Sequence, residues 1–488
     1  MSGTCKTMCL TRPENEPRNP MQADDSIPMM QKALQLLEAS VKAAMRQRDG
    51  SPAVSGQPML ERFSAPLGEV DATRWLSAQR LFPRLFWMNR EKSEWIAGIG
   101  EADRIEITES GPNDRSFLVL EEAMTRKNPH ARYIGGFCFN NLQKQNKLWS
   151  AFSPGLFILP LVSIEYRDGQ TLMTCSLWLE PGNDRQKGLE QLLAALSAVS
   201  AGDAPETAGI PEMTQVSYCP DKAQWIENCE TILRNFDEGK LDKVILARQT
   251  ELSFAGKVPA IRFLLDYPFP ENTAYRFYFE PVEGHAFISF TPERLYRRDG
   301  DMLETEALAG TVTKEALKAD DSIASELLLN SEKDIREHRF VKDTIYRELQ
   351  PVCSDIDMQE KVGVLQLNRL AHLLAKCKAR LLPEFSNDST VLRQLHPTPA
   401  VGGVPREKAM SLILSIEPFC RGWYAAPVGW LNRDAAEFAV GIRSALVNDD
   451  RVYLYSGAGL VRGSNPESEW EEVDQKIGDI LAITQQTS

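Results

Sequence analysis

The hydrophobic pattern of the N-terminal part predicts one amphipathic helix. Across 27–47, apolar residues recur three or four positions apart, which is the spacing of one helix face. These residues are Met30, Leu34, Leu37, Val41 and Met45. The segment 1–25 before them is polar and contains proline, so we expect a flexible tail there.

Short apolar segments separated by turn signals then predict a series of strands. They read RLFWM, EWIAGIG, YIGGFCF, GLFILPLVSIEY and LMTCSLWLE. A helix is predicted over about 186–200, and the composition of AGDAPETAGIPE, 201–212, predicts a linker. We therefore expect a β-rich N-terminal half over 26–212 and a catalytic domain over 213–488.

The C-terminal half mixes helices with strands. A helix is predicted over 222–237, and strands follow in KVILARQTELSF, FYFEP and HAFISFTPERLYRRDGDMLETEALAGT, the last with a hairpin at Asp299–Gly300. The segment SEKDIREHRFVKDTIYREL predicts a second helix, and FAVGIRSALV and VYLYSGAG predict further strands. This mixed order favours a layered α+β or α/β architecture, with β-sheets flanked by helices.

Composition excludes several kinds of partner. The 488 residues include 55 basic and 68 acidic ones, a net charge of −13, which argues against nucleic acid or an anionic membrane surface. No apolar run approaches the roughly 20 residues of a membrane span, and the N-terminus lacks an apolar signal core, so we expect a cytoplasmic protein. The nine cysteines are expected to be free thiols, and the five histidines show no zinc spacing.

The stretch YSGAGLVRGSNPESEWEEVDQK, 455–476, predicts a strand, a glycine-containing loop and a helix start. Ser464 or Asn465 can cap this helix, with Pro466 in its first turn. Glu469, Glu472 and Lys476 then fall on one helix face. The face could hold a metal ion beside an anionic ligand, or it could be a solvated face with a Glu472–Lys476 pair.

The other acidic helix makes the first possibility stronger. Its Asp334 and Glu337 lie three positions apart, with Glu332 nearby. Mg²⁺ prefers oxygen ligands and is commonly held by one or two carboxylates together with substrate oxygens. One glutamate from each helix would suffice for a magnesium site between them.

Lys243, in LDKVILAR, is a candidate general base. Strand alternation places it on one face with Ile245 and Ala247. Burial among apolar neighbours favours the neutral amine, which can accept a proton. The alternative is a lysine at a strand end that extends to solvent.

Glu293, in ISFTPERLY, is a candidate general acid, because desolvation would raise its pKa and keep a proton available. The alternative is an exposed turn in which Glu293 pairs with Arg294 or Arg297. In addition, the glycine turn ALAGT, 307–311, could bring backbone close to a small ligand.

Two further side chains have a functional and a structural interpretation. Arg443, in an apolar strand, could hold a carboxylate with two hydrogen bonds or form a structural ion pair. His372, in RLAHLL, could be catalytic or a histidine whose hydrogen bonds are satisfied in the core.

Eight motifs, in this order, resemble those of the chorismate-utilising enzymes. They are LDKVILAR, TPERLYRRDG, EALAGT, SEKDIREH, LHPTPAVGG, APVGW, GIRSALV and the 455–476 stretch with the SGAG loop that opens it. The resemblance covers about 220–485 and is greatest to the isochorismate-forming branch, including the form that begins menaquinone biosynthesis. It implies Mg²⁺-dependent conversion of chorismate to isochorismate on a large fold whose halves pack as one body.

The resemblance implies a role for each candidate residue. Lys243 corresponds to the lysine that activates water, and Glu293 corresponds to the general acid. The Mg²⁺ ligands correspond to Glu337 and Glu472, with Asp334 and Glu469 close by through water. The substrate's carboxylates would meet Arg443, Lys476 and the backbone near Gly310 and Gly457, with His372 lining the pocket.

Lys243 also distinguishes the branches of the family that use water from those that use ammonia, because the ammonia-using relatives carry a different residue at this position. Salicylate synthases keep this lysine and go on to eliminate pyruvate, so they remain an alternative. A non-catalytic chorismate-binding paralogue is a second alternative, although an inactive relative would be expected to lose some of these residues. We expect a monomer with a small-molecule substrate.

Overall fold

In a computed structural model, the chain forms a large antiparallel sheet with helices packed on it. The structure describes residues 26–47, 58–108, 113–140, 147–202, 208–267, 274–313, 321–367 and 370–485. The predicted tail at 1–25 lies outside these ranges. The predicted α/β class, with β-sheet flanked by helices, is confirmed.

The helices of the described ranges occur along the whole chain. They are α1 Ser26–Arg46, α2 Ala72–Ser77, α3 Asn113–Thr125, α4 Arg185–Ser197, α5 Lys222–Asp237, α6 Ile261–Asp266, α7 Asp321–Asn330, α8 Glu332–Leu349, α9 Asp388–Leu395, α10 Arg406–Ile416 and α11 Pro466–Thr484. Short 3₁₀ helices occur at Lys147–Trp149 and Pro383–Phe385.

The strands of the N-terminal half are β1 Met59–Leu67, β2 Arg84–Met88, β3 Glu94–Ile107, β4 Tyr133–Phe137, β5 Gly155–Arg167 and β6 Gln170–Leu179. Those of the C-terminal half begin with β7 Met213–Cys219, β8 Lys243–Phe254, β9 Tyr275–Val282, β10 His285–Thr291, β11 Arg294–Asp299, β12 Met302–Thr313 and β13 Cys353–Met358. They continue with β14 Gly363–Gln366, β15 Leu370–Leu381, β16 Gly403–Val404, β17 Pro427–Leu431, β18 Ala435–Val440, β19 Ser444–Asn448 and β20 Arg451–Val461.

The sheet divides into two arms at β5, which pairs with both β3 and β4. The first arm runs β3–β2–β9–β10–β19–β20–β8, and β7 and β16 both pair with β8. The second arm runs β4–β17–β18–β11–β12–β15, and β13 and β14 pair with β15. Strands β6 and β1 extend the sheet from β5.

The largest hydrophobic cluster contains buried side chains from both arms. Trp87 of β2 and Trp430 of β17, for example, meet edge to face with ring centroids 6.0 Å apart. A second cluster includes side chains of α1, α4 and α11. The inner faces of the two arms therefore form the main core, because each buries apolar residues against the other.

Strands of the two halves of the chain pair directly. Strand β2 pairs with β9, and β4 pairs with β17. The proposed division at 201–212 stays a prediction, but any such division leaves these strand pairs shared between the halves.

The chain passes from one arm to the other at two places that bear on function. Between β10 and β11 it passes through Pro292 and Glu293, and between β18 and β19 it passes through Gly441–Arg443. The two passages contact each other, since the Val440 N–H donates to the Glu293 carbonyl at 3.0 Å. They bring residues far apart in sequence to the same end of the sheet.

The second passage corrects two expectations about FAVGIRSALV, 438–447. This segment is not one strand, because β18 pairs in the second arm and β19 in the first. Arg443 therefore lies in the connection rather than in a strand, with a left-handed φ of 49°. An arginine in this sparsely populated conformation costs free energy that the surrounding structure must offset.

Other sequence predictions hold. The helix expected over 27–47 is α1, the helix over 222–237 is α5, and Asp299 pairs with Met302 in the predicted hairpin. Seven cysteines in the described ranges are free thiols, whereas Cys5 and Cys9 lie outside those ranges. Among the described helices, none is both long and apolar enough to cross a membrane.

Candidate active site

A cavity of about 180 Å³ lies beside the two passages between the arms. Nine of the eleven predicted site residues line it, namely Glu293, Gly310, Asp334, Glu337, His372, Arg443, Gly457, Glu472 and Lys476. The other two, Lys243 and Glu469, are buried behind residues that line it. Two further cavities, of about 340 and 360 Å³, contain none of the eleven.

Lys243 begins β8 and forms an ion pair with Glu337 of α8. Its side chain is 0% exposed, and its Nζ lies 2.8 Å from Glu337 Oε1. The alternative of a lysine that extends to solvent is therefore wrong. Burial alone would raise the pKa of Glu337, but the charges of Lys243, Lys476 and Lys333 hold it below its ordinary value.

Glu293 lies between β10 and β11 and is 4% exposed, so the alternative of an exposed turn is wrong. Burial raises its pKa to about 8, and the charge of Glu306 also raises it. A hydrogen bond from Thr398 Oγ1 to Glu293 Oε1, 3.2 Å long, and the charges of Lys243 and Lys476 partly oppose this shift. At neutral pH this carboxyl holds a proton that it can donate.

The helix that carries Glu469, Glu472 and Lys476 begins as its sequence predicts. Asn465 is the N-cap and accepts from the Ser468 N–H at 3.0 Å, and Pro466 follows in the first turn. Lys476 Nζ lies 2.7 Å from Glu472 Oε1 and donates to the Gly457 carbonyl at 2.9 Å. The expected Glu472–Lys476 pair exists, but it lines the cavity rather than a solvated face.

Carboxylates from α8 and α11 crowd the same side of the cavity. Burial, and then the charge of Glu337, raises the pKa of Asp334. Burial, and then the charge of Glu472, raises the pKa of Glu469. Lys333 lies 3.6 Å from Glu469, and surrounding carboxylates raise its pKa against the effect of burial. The helices therefore concentrate negative charge that a cation would relieve.

The donor set fits a magnesium ion by its chemistry. Its members are carboxylates, which supply the hard oxygen ligands that Mg²⁺ prefers, and one or two suffice when substrate oxygens and water complete the shell. Across the described residues, no group of three or more His, Cys, Asp or Glu side chains is arranged as a metal site by itself. The magnesium site thus stays a prediction, with Glu337 and Glu472 as its ligands.

Arg443 and His372 form a hydrogen-bonded pair at the cavity wall. Arg443 Nη2 lies 2.8 Å from His372 Nε2, and because a guanidinium can only donate, this nitrogen accepts. The proton is then on Nδ1, which donates to the Gly310 carbonyl at 3.1 Å. Burial, followed by the charge of Arg443, holds the pKa of His372 well below its ordinary value. His372 is thus a neutral support for Arg443.

The ALAGT segment was expected to form a turn. It instead forms a β-bulge within β12. The pairing of β12 with β15 shifts register between Ala309 and Thr311, and Gly310 has a left-handed φ of 76°. A Cβ at Gly310 would lie 3.0 Å from Asp334 Cβ. Glycine therefore allows both the bulge and the close approach of α8.

The residues that the sequence interpretation did not assign to this site include Thr398, Lys333, Gly459 and Tyr424. A Cβ at Gly459 would lie 3.2 Å from Glu337 Oε1 and 3.4 Å from Lys243 Cε. The signal for Gly459 was the second glycine of SGAG. Thr398 lies within the LHPTPAVGG motif, but only its tertiary contact with Glu293 shows its role, and Tyr424 carries no local signal.

The sequence matches the family model described as chorismate binding enzyme over residues 44–485. It is 32% identical over 443 residues to isochorismate synthase MenF of Escherichia coli, covering 89% of this chain and 95% of that protein. It is 31% identical over 420 residues to isochorismate synthase MenF of Bacillus subtilis, covering 82% of this chain and 87% of that protein.

The fold is also similar to a solved structure. The menaquinone-specific isochorismate synthase MenF of Escherichia coli superposes with a TM-score of 0.79 and 29% identity. The match covers 93% of this chain and 100% of that chain. The similarity therefore extends over both halves.

Proposed function

Since this chain belongs to the family of chorismate-binding enzymes, we propose that it converts chorismate to isochorismate. The observation that carries the proposal is one cavity with two complementary groups. Glu293 supplies a buried carboxyl with a pKa of about 8, and the buried amine of Lys243 lies behind Glu337 at the same cavity. An acid and an amine placed in this way suit the removal of a hydroxyl and the addition of water.

In the proposed reaction, Lys243 takes a proton from a water molecule that attacks the ring. The ring double bonds shift, and the hydroxyl at the far end of the shifted system departs. Glu293 donates its proton to that hydroxyl, which leaves as water. One water is consumed and one is released, so the product is an isomer of the substrate.

Cationic side chains on the cavity wall would hold the substrate's two carboxylates. Arg443 can present its guanidinium because neutral His372 fixes the orientation of Nη2 without adding charge. Lys476, on α11, lines the same cavity and donates to the Gly457 carbonyl. These contacts explain how a chain of net charge −13 could bind a dianion.

Magnesium would be held by Glu337 and Glu472, with Asp334 and Glu469 close by. When bound, the ion would neutralise the ring carboxylate of the substrate.

We further infer that the product supplies menaquinone biosynthesis, because the solved relative of similar fold is menaquinone-specific. A siderophore pathway and a salicylate pathway are the other destinations that the sequence leaves open. We also infer a cytoplasmic protein with no nucleic-acid or membrane partner, as the composition predicts. A large self-contained core favours a monomer.

The first experiment is to incubate the purified protein with chorismate and Mg²⁺, to separate the products by chromatography, and to measure pyruvate with a coupled assay. Isochorismate without pyruvate is the expected result. Glu293→Gln should abolish product formation in the same assay, which controls for contaminating enzymes.

Two other results would contradict the proposal. Salicylate with an equal amount of pyruvate would assign the chain to the salicylate synthases. Retention of chorismate without turnover would indicate a binding paralogue, and a direct binding measurement by calorimetry would identify that case.

A further inference from the structure

The N-terminal half contributes Arg90 to a buried ion pair next to Glu293. Arg90 lies in the connection between β2 and β3, and its guanidinium donates to Glu306 of β12 through Nη1 at 2.7 Å and Nη2 at 2.8 Å. Both side chains are almost fully buried, at 7% and 2% exposure. Neither residue lines the cavity, and no sequence motif pointed to Arg90.

This pair holds the backbone on both sides of Glu293. Arg90 Nη1 also donates to the Pro292 carbonyl at 2.7 Å. Glu306 Oε1 accepts from the Arg294 N–H at 3.1 Å. The peptide groups before and after Glu293 are therefore bound to the two members of one ion pair.

The other hydrogen bonds of Glu293 complete the support. Its N–H donates to Thr291 Oγ1 at 3.2 Å, and its carbonyl accepts from Val440 at 3.0 Å. Because this segment passes between two sheet arms, residues 292 and 293 lie outside the regular pairing of the strands on either side. A buried bidentate pair supplies the rigidity that a positioned carboxyl needs.

We propose that the Arg90–Glu306 ion pair is the positioning device for Glu293, fixing its peptide groups and setting the electrostatic environment of its carboxyl. The role of Glu293 as a general acid rests on the function proposed above. Arg90 and Glu306 are positioning residues, since neither lines the cavity in which the substrate would bind.

The charges around Glu293 predict in which direction the loss of the Glu306 charge would shift the pKa of Glu293. Glu306 of β12 raises the pKa of Glu293, whereas Lys243 of β8 and Lys476 of α11 lower it. His372, Arg443 and the α8 carboxylates lie around the same cavity. Replacing Glu306 by glutamine removes one negative charge and leaves Arg90 cationic, so the pKa of Glu293 should fall.

A matched pair elsewhere in the chain provides the control. Arg84 of β2 donates through Nε to Glu280 Oε2 of β9 at 2.7 Å, and these side chains are 7% and 2% exposed. This pair also joins the two halves, and neither residue lines the cavity. Glu280→Gln thus repeats the chemistry of Glu306→Gln without Glu293 nearby.

The test is an infrared titration of the full chain, following the protonated-carboxyl band that disappears in Glu293→Gln. We expect a midpoint near 8 in the wild type. It should fall by about one pH unit in Glu306→Gln and stay unchanged in Glu280→Gln. A midpoint in Glu306→Gln equal to that of the wild type would overturn the inference, as would an equal shift in both variants.

A second comparison tests positioning through kinetics. Arg90→Lys keeps the charge but loses the bidentate geometry, so kcat should fall about tenfold with little change in KM, whereas Arg84→Lys should leave both near wild type. Equal effects of the two substitutions would show a merely structural role. If the wild type forms no isochorismate, the proposed function fails, while the infrared titration still decides whether Glu306 acts on Glu293.

Discussion

The Nζ of Lys243 lies 2.8 Å from Oε1 of Glu337, although the two residues are 94 positions apart. The lysine begins a strand of the first arm, and the glutamate lies on a helix packed against the second. The pair joins the residue predicted to activate water to a residue predicted to bind magnesium.

Lys243→Ala should lower kcat by about 10²- to 10⁴-fold, the usual contribution of a general acid or base. The variant should still fold, and circular dichroism should match the wild type. Lys127→Ala is the control, because Lys127 forms a half-buried ion pair with Asp103 away from the cavity. A kcat for Lys243→Ala within threefold of wild type would remove the lysine from the proposed reaction.

Thr398→Val should move the basic limb of the pH–rate profile to higher pH. The hydroxyl of Thr398 donates to Glu293 Oε1 and lowers the pKa of Glu293, so its loss lets the pKa rise further. The measurement is kcat/KM across pH 6 to 10. Thr174→Val removes another buried hydroxyl, bound to Ser64, and should leave the limb in place. A shift to lower pH in Thr398→Val would contradict this account.

Gly459→Ala should reduce kcat about ten- to a hundredfold, because small misplacements of reacting groups are costly. The added Cβ would lie 3.2 Å from Glu337 Oε1 and would displace the Lys243–Glu337 pair. At Gly256, by contrast, the nearest atom to an added Cβ is Pro211 Cγ at 3.8 Å, so Gly256→Ala is the control. Steady-state kinetics on both variants tests the difference, and equal activities would show that the pair tolerates movement.

Glu293→Gln should change how stability depends on pH. The pKa of Glu293 is raised from 4.5 to about 8 in the folded chain, so its contribution to stability is present at low pH and is lost as pH rises towards 8. Relative to wild type, the glutamine variant should gain about 1.4 kcal/mol per pH unit over this interval. Urea unfolding at pH 5 to 9 measures the gain, with Glu384→Gln as an exposed control. A flat difference would mean that Glu293 is ionised at neutral pH.

Removal of Mg²⁺ by EDTA should abolish turnover. Glu472→Gln should weaken Mg²⁺ binding at least about tenfold, because even the loss of a residue that only supports a metal ligand can lower metal affinity by that factor. Calorimetry with MgCl₂ measures the affinity without relying on turnover. Glu471→Gln, next to it on α11 but away from the cavity, is the control. Activity that is indifferent to EDTA would make the two acidic helix faces structural.

The sequence determined those features that depend on neighbours within a few positions. The Asn465 cap, the common face of Glu469, Glu472 and Lys476, and the hairpin after β11 follow from the turn and helix chemistry of short segments. The order of motifs also identified the family, because eight motifs in one order are far more specific than any single one.

Only the tertiary structure decided which charged side chains contact each other. The local sequence of Glu293 left a buried acid and an exposed turn both open, and the packing of the two passages between the sheet arms buries it. Arg90 carries no motif, yet it reaches Glu306 across 216 positions. Local periodicity fixes which face of an element a residue occupies, whereas the free energy of a buried charge depends on partners that only the packed arms bring together.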